Sequence, residues 1–175
     1  MLLNLAKLLL EDGKTMHCSV EPELKEIDFR MGRFQILEKK PLDLTIRHLG
    51  NKEISIHGTT ELIFEIPCGR CLQPVRYTMP IDLERTADMK LSEAELEEEL
   101  EESCFFVGEQ LDPEVLLHNE ILVNWPIRVL CKEDCKGICS RCGANLNTSS
   151  CDCDQEPKDP RMAAIQDIFS KFKEV

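Results

Sequence analysis

The sequence predicts an α+β protein: a small antiparallel sheet with peripheral helices and a cysteine-rich zinc-knuckle segment toward the C-terminal end. Three observations carry this prediction. Apolar and polar residues alternate over stretches between residues 42 and 83, the period becomes helical after Ser92, Asp112 and Asp159, and most of the ten cysteines fall in closely spaced groups.

Taken in order, the opening run Met1 to Leu10 is apolar but carries Lys7 and leads into Glu11-Asp12-Gly13 without a basic leader or a small-residue cleavage site. It is expected to form a short helix and not a signal peptide. Leu42, Leu44 and Ile46 then alternate as one buried face of a strand requires. Glu53 to Ile66 repeats the pattern with Ile54, Ile56, Leu62, Phe64 and Ile66 on one parity. Beyond Pro74, Val75, Tyr77, Met79, Ile81 and Leu83 give a third strand, so Cys68-Gly69-Arg70-Cys71 caps a hairpin.

Ser92 and Glu95 stand at capping-box spacing, and Leu96 and Leu100 lie four apart in a glutamate-rich, solvated helix. Asp112-Pro113 is a second helix start, followed by an apolar face of Val115, Leu116, Ile121 and Leu122 that ends near Trp125-Pro126. Asp159-Pro160 begins a third helix, with Ile165, Ile168, Phe169 and Phe172 at helical spacing. The expected organisation is residues 1–126 as sheet core with helices and acidic segment, and 127–175 as knuckle segment and closing amphipathic helix, packed together as one domain.

The chain has 175 residues, a hydrophobic fraction of 42% and a formal charge of −12, and it lacks the run of about 18 apolar residues that a membrane span needs. A soluble, cytoplasmic protein is expected, with no membrane and no small-molecule substrate among its partners. The charge is uneven. Residues 1–80 hold 11 acids and 11 bases and residues 121–175 hold 8 of each, whereas residues 81–120 hold 14 acids and 2 bases. A protein that coats phosphate along its length would need a broadly basic surface, which this chain lacks.

In a reducing compartment, clustered thiols point to metal before disulfides. Cys68/Cys71, Cys131/Cys135, Cys139/Cys142 and Cys151/Cys153 are the candidate ligands. Zinc takes four thiolates in a tetrahedron, and a Cys-x-x-Cys turn supplies two while aiming its amides at the sulfurs. Gly143 lets the chain leave that turn with positive φ. Between residues 131 and 155 there is little apolar material, so metal is the economical source of order there. The preferred partition gives Cys139, Cys142, Cys151 and Cys153 to one Zn²⁺, with Cys68, Cys71, Cys131 and Cys135 as a second site. Cys18 and Cys104 receive no role beyond packing.

Nothing supports catalysis. The string His-Glu-x-x-His of open zinc sites does not occur, nor does a phosphate loop or a dinucleotide fingerprint, and the His-x-Glu at His118-Asn119-Glu120 lies outside the cysteine groups.

The arrangement resembles the YceD family, the large ribosomal RNA subunit accumulation proteins of bacteria and plastids. The strings that carry the resemblance are Cys68-Gly69-Arg70-Cys71-Leu72, Glu120-Ile121-Leu122 with Pro126, Cys135 through Asn147, Cys151-Asp152-Cys153 and Asp159-Pro160-Arg161. They run from the hairpin to the last helix, while residues 1–60 add only general pattern. Ser140 stands where the family often has proline, and Met162 where a bulky aromatic is common. The resemblance implies a non-enzymatic ribosome biogenesis factor that supports accumulation or processing of large-subunit (23S) rRNA.

Its expected partner is the large ribosomal subunit precursor, through rRNA or a ribosomal protein, with the basic residues Lys132, Lys136 and Arg141 beside the knuckle as candidate contacts. Two other readings remain. Cys-x-x-Cys with Cys-x-Cys also suits a redox-switched zinc chaperone or thiol protein, since oxidation would eject the metal. The acidic segment 81–120 also suits an interaction module for a basic ribosomal protein.

Overall fold

A computed structural model of the chain describes residues 2–29, 32–88 and 105–153. The described residues fall into two compact units, within Met1–Cys68 and Gln73–Cys131 for the first and within Gly69–Leu72 and Lys132–Val175 for the second. The α+β class holds, as an antiparallel sheet with a peripheral helix.

The first unit is built on one long hairpin. Strands β1 (Leu3–Asn4), β2 (Thr15–Val20), β3 (Glu26–Phe29), β4 (Gly32–Lys39), β5 (Leu42–Gly50), β6 (Glu53–Pro67) and β7 (Pro74–Asp88) are followed by β8 (Phe106–Val107), β9 (Gln110–Leu111) and helix α1 (Pro113–Val123). β6 pairs with β7 along its whole length, from Glu53 opposite Asp88 to Pro67 opposite Pro74. The other edge of β6 is shared: its first half pairs with β5, and Leu62 to Phe64 pair with β4. Pro41 has no N–H to give to the ladder, and the chain passes from β4 to β5 there, still held by the Lys40 amide on the Glu61 carbonyl at 3.0 Å. β2 extends the sheet beyond β5, and β3 beyond β4.

The turn between β5 and β6 has φ of 56° at Asn51 and 65° at Lys52, the two left-handed residues that a tight hairpin needs to match strand twist. The even residues of β5 and β6 and the odd residues of β7 face the core, including Leu44, Ile46, Ile56, Phe64, Met79, Ile81 and Leu83. Gly58 sits where those strands approach most closely: a Cβ there would lie 2.8 Å from Leu44 Cδ2 and 3.1 Å from Leu83 Cγ.

Leu116, Leu117 and Ile121 of α1 join the same core. The side chain of Asp112 caps the helix by accepting from the amides of Glu114 and Val115 at 3.0 and 3.3 Å. Glu120, nearly buried, accepts a 2.7 Å bond from Arg85 Nε, so the helix is tied to β7 by a charge pair as well as by packing. Trp125 then packs against Phe34 and Phe64, with ring centroids 4.8 and 5.3 Å away.

The opening apolar run departs from expectation. It forms β1, paired with β9, and then a single turn in which the amides of Leu8 and Leu9 reach the Leu5 carbonyl at 2.8 and 3.0 Å. Asn4 Oδ1 accepts from the Ala6 amide, and the Leu5 amide donates to the Glu109 carbonyl. Pairing with distant backbone here outweighs local helix propensity, and it buries Leu5 and Leu8. The helices expected after Ser92 and Asp159 lie outside the described residues.

Candidate metal centre

Chain running from β6 to β7 turns through residues 68–73, where the Cys68 amide bonds the Gln73 carbonyl at 2.8 Å and Leu72 takes φ 61°. Further on, the knuckle at residues 137–146 is a tight loop. Ile138 and Asn145 form an isolated antiparallel bridge, the Cys139 amide donates to the Ala144 carbonyl at 2.8 Å, and the Gly143 amide returns to the Cys139 carbonyl at 2.9 Å. Gly143 has φ 73°, which only glycine adopts without strain at that exit from the turn.

The cysteine sulfurs gather in two groups of four. Cys68, Cys71, Cys131 and Cys135 form one, and Cys139, Cys142, Cys151 and Cys153 the other, each with its sulfurs within 4.8 Å of one another. A tetrahedron of sulfurs about 2.3 Å from a zinc ion has edges of about 3.8 Å, so both groups are compact enough to close on one ion. These two groups could hold a metal. Cys68, Cys71, Cys135 and Cys139 are buried, whereas Cys131 and Cys142 are exposed.

Electrostatics of the second group fit a cation at its centre. Backbone amides of Cys142 and Arg141 donate to the Cys139 sulfur, with a further contribution from Cys151, and hold its thiol down to about 6. Contact with the Cys142 sulfur, added to desolvation, drives Cys153 the other way, to about 12. Cys151 is also raised: the Cys153 amide pulls it down, but the Cys139 sulfur and burial outweigh that. Four sulfurs this close cannot all ionise against one another, and a divalent cation removes that conflict.

Sequence reasoning missed the side chains around these sulfurs. Asn147 Nδ2 donates to the Cys135 sulfur at 3.3 Å and to Asn145 Oδ1 at 2.9 Å, while Asn147 Oδ1 accepts from the Lys136 amide at 2.9 Å. The Cys131 amide points at the Cys68 sulfur at 3.4 Å. Arg70, inside the first Cys-x-x-Cys, donates Nη1 to the carbonyls of Cys135 and Glu133 at 2.7 and 3.3 Å, and its own carbonyl accepts from the Ile138 amide. That carbonyl would lie 3.0 Å from a Cβ at Gly137, whose φ is 81°, so two independent constraints keep the position glycine. Outer contacts of this kind orient metal ligands.

Lys132, Lys136 and Arg141 are all exposed, with Lys132 Nζ 3.7 Å from the Asp134 carboxylate. Cys18 packs at the edge of the core, where burial pushes its thiol up, and Cys104 lies outside the described residues. No helix among the described residues is long and apolar enough to cross a membrane.

Comparison with known proteins adds the family. A family model described as "Large ribosomal RNA subunit accumulation protein YceD" matches residues 56–169, from the middle of β6 past both cysteine groups. The chain belongs to the YceD family. Among curated relatives, a chloroplastic YCED homolog 1 of Arabidopsis thaliana, named as a large ribosomal RNA subunit accumulation protein, is 32% identical over 76 residues, covering 42% of this chain and 24% of that protein. Uncharacterized proteins of Mycobacterium bovis and Mycobacterium tuberculosis are 29% identical over 129 residues, covering 73% of this chain and 62% of theirs. The chain thus spans only about a quarter of the plant relative and under two thirds of the mycobacterial ones. No solved structure matches it.

Proposed function

We propose that this protein supports the accumulation or processing of large-subunit (23S) rRNA in the cytoplasm, and that two zinc ions hold its cysteine-rich segment in the shape that this role requires. The observation that carries the reading is the gathering of eight cysteines into two compact sets of four, inside the region that matches a family associated with large-subunit rRNA. Cys139, Cys142, Cys151 and Cys153 hold one ion and Cys68, Cys71, Cys131 and Cys135 the other. Thiolate-only sets close the coordination sphere, so the metal here is structural.

The working partner is the large ribosomal subunit precursor, met through rRNA or a ribosomal protein, with Lys132, Lys136 and Arg141 as contacts. The test is loss of function in the native cell. Deleting the gene should lower 23S rRNA relative to 16S, and restoration should need the intact cysteines. Unchanged rRNA, together with absence of the protein from large-subunit precursors in a gradient, would sink the reading. A gain of holdase activity when peroxide drives zinc out would replace it with the redox-switched chaperone.

A further inference from the structure

The sheet of the first unit has two unlike faces. One is filled by the core, and the other is lined by exposed or half-exposed side chains among the described residues. Register places these in rows across three strands: Asp43, Thr59 and Asp82; Thr45, His57 and Glu84; Arg47, Ser55 and Thr86. Ser19, His17 and Thr15 of β2 extend the rows at one side. Glu53 lies at the hairpin end, opposite Asp88.

The charge on this face is one-sided. Lys40 is committed to Glu61 at 2.8 Å, and Arg76 to Glu38. Among the described residues of these rows, Arg47 and the two histidines then stand against Asp43, Glu53, Asp82 and Glu84, with His57 Nδ1 3.6 Å from the Asp82 carboxylate. The chain leaves β7 at Asp88 into the sequence segment whose residues 81–120 hold 14 acids and 2 bases.

The rings are one-sided too. Phe34, Phe64, Tyr77 and Trp125 all belong to the core side, so among the described residues the rings on the open face are the imidazoles of His17 and His57. Proteins that hold single-stranded RNA on a sheet use aromatic platforms flanked by cations, and this face sets its two imidazoles among carboxylates. Edge addition is no better served: β7 pairs only with β6 among the described strands, and Pro74 and Pro80 interrupt its donors. What remains is a broad, polar, acidic surface whose complement is cationic.

We propose that the open face of the sheet docks a lysine- and arginine-rich segment of a partner protein, held by Asp43, Glu53, Asp82 and Glu84. The assignment goes beyond the ribosomal reading and stands without it, since a basic partner from any assembly would satisfy it.

Fluorescence anisotropy of a labelled lysine- and arginine-rich peptide, titrated with the full chain, tests this against a glutamine-substituted peptide and a single-stranded RNA of equal length. The face variant is Asp43→Asn/Glu53→Gln/Glu84→Gln. Its control, Glu21→Gln/Glu109→Gln/Glu133→Gln, removes the same charge from exposed positions outside the sheet. The face variant should weaken peptide binding at least about fivefold more than the control does, with binding to the parent chain falling as salt rises. A smaller difference, no measurable peptide binding, or RNA binding tighter than the peptide overturns the proposal. Far-ultraviolet circular dichroism of both variants checks that the sheet is retained, which the exposure of all six side chains leads us to expect.

Discussion

Chelation of the metal is the perturbation with the largest consequence. Among the described residues beyond Cys131, the only buried hydrophobic side chains are Cys135 and Cys139, and Ile138 is 39% exposed. Ordering the stretch of about 22 residues from Lys132 to Cys153 costs roughly 30 kcal/mol at about 1–2 kcal/mol per residue. The roughly 10–16 kcal/mol of apparent binding free energy per structural zinc is already net of such ordering, so an ion in each set of four sulfurs holds the stretch and its removal releases it. The protein as purified should therefore carry about two zinc ions per chain by plasma mass spectrometry. The double variant Cys139→Ser/Cys142→Ser should carry about one. Stripping the metal should open residues 132–153 to protease while β5, β6 and β7 stay protected. A protein with no more than trace metal, or one whose cleavage pattern is the same with and without chelator, refutes the reasoning.

Three further outcomes follow from individual contacts. Arg70→Ala removes the donor shared by the Cys135 and Glu133 carbonyls and should speed zinc release to a colorimetric chelator by about tenfold. Gly58→Ala forces a methyl against Leu44 and Leu83 and should lower stability to urea by about 1–3 kcal/mol. Glu120→Gln leaves Arg85 without its nearly buried carboxylate and should cost about 1–3 kcal/mol in the same measurement.

How far the sequence could be read depended on which interactions decided each element. Strands β5, β6 and β7 were legible because strict alternation over Leu42 to Leu83 reports a face against a core, a signal that needs no knowledge of partners. α1 was legible from Asp112-Pro113, where cap and proline act locally. β4 was not: a register shift between Ile36 and Glu38 breaks the period just where its pattern would have shown. β2 carries only Met16, Cys18 and Val20 on its inner face, a thin signal, and the opening leucines were misread because their pairing with β9 is set by residues more than a hundred positions away. The grouping of the sulfurs follows their spacing in the chain. The contacts of Arg70 and Asn147 do not, because those side chains reach backbone and sulfur that only the fold brings near.

Charge links the candidate metal centre to the question of partner. A zinc ion bound by four thiolates carries a net charge of about −2, so filling both sets would add about four negative charges to a chain already at −12. Arg70, Lys132, Lys136 and Arg141 would then act first as counter-charges to the thiolates, and Lys132 already shares its ammonium with Asp134. A phosphate approaching these cations would meet a local field close to neutral, and one approaching the sheet would meet carboxylates. On the proposed ribosomal reading, association with a precursor subunit should therefore run through a basic protein component, and it should survive removal of exposed RNA from that precursor by nuclease. Release of the protein by such trimming would return the weight to Lys132, Lys136 and Arg141 as direct phosphate contacts.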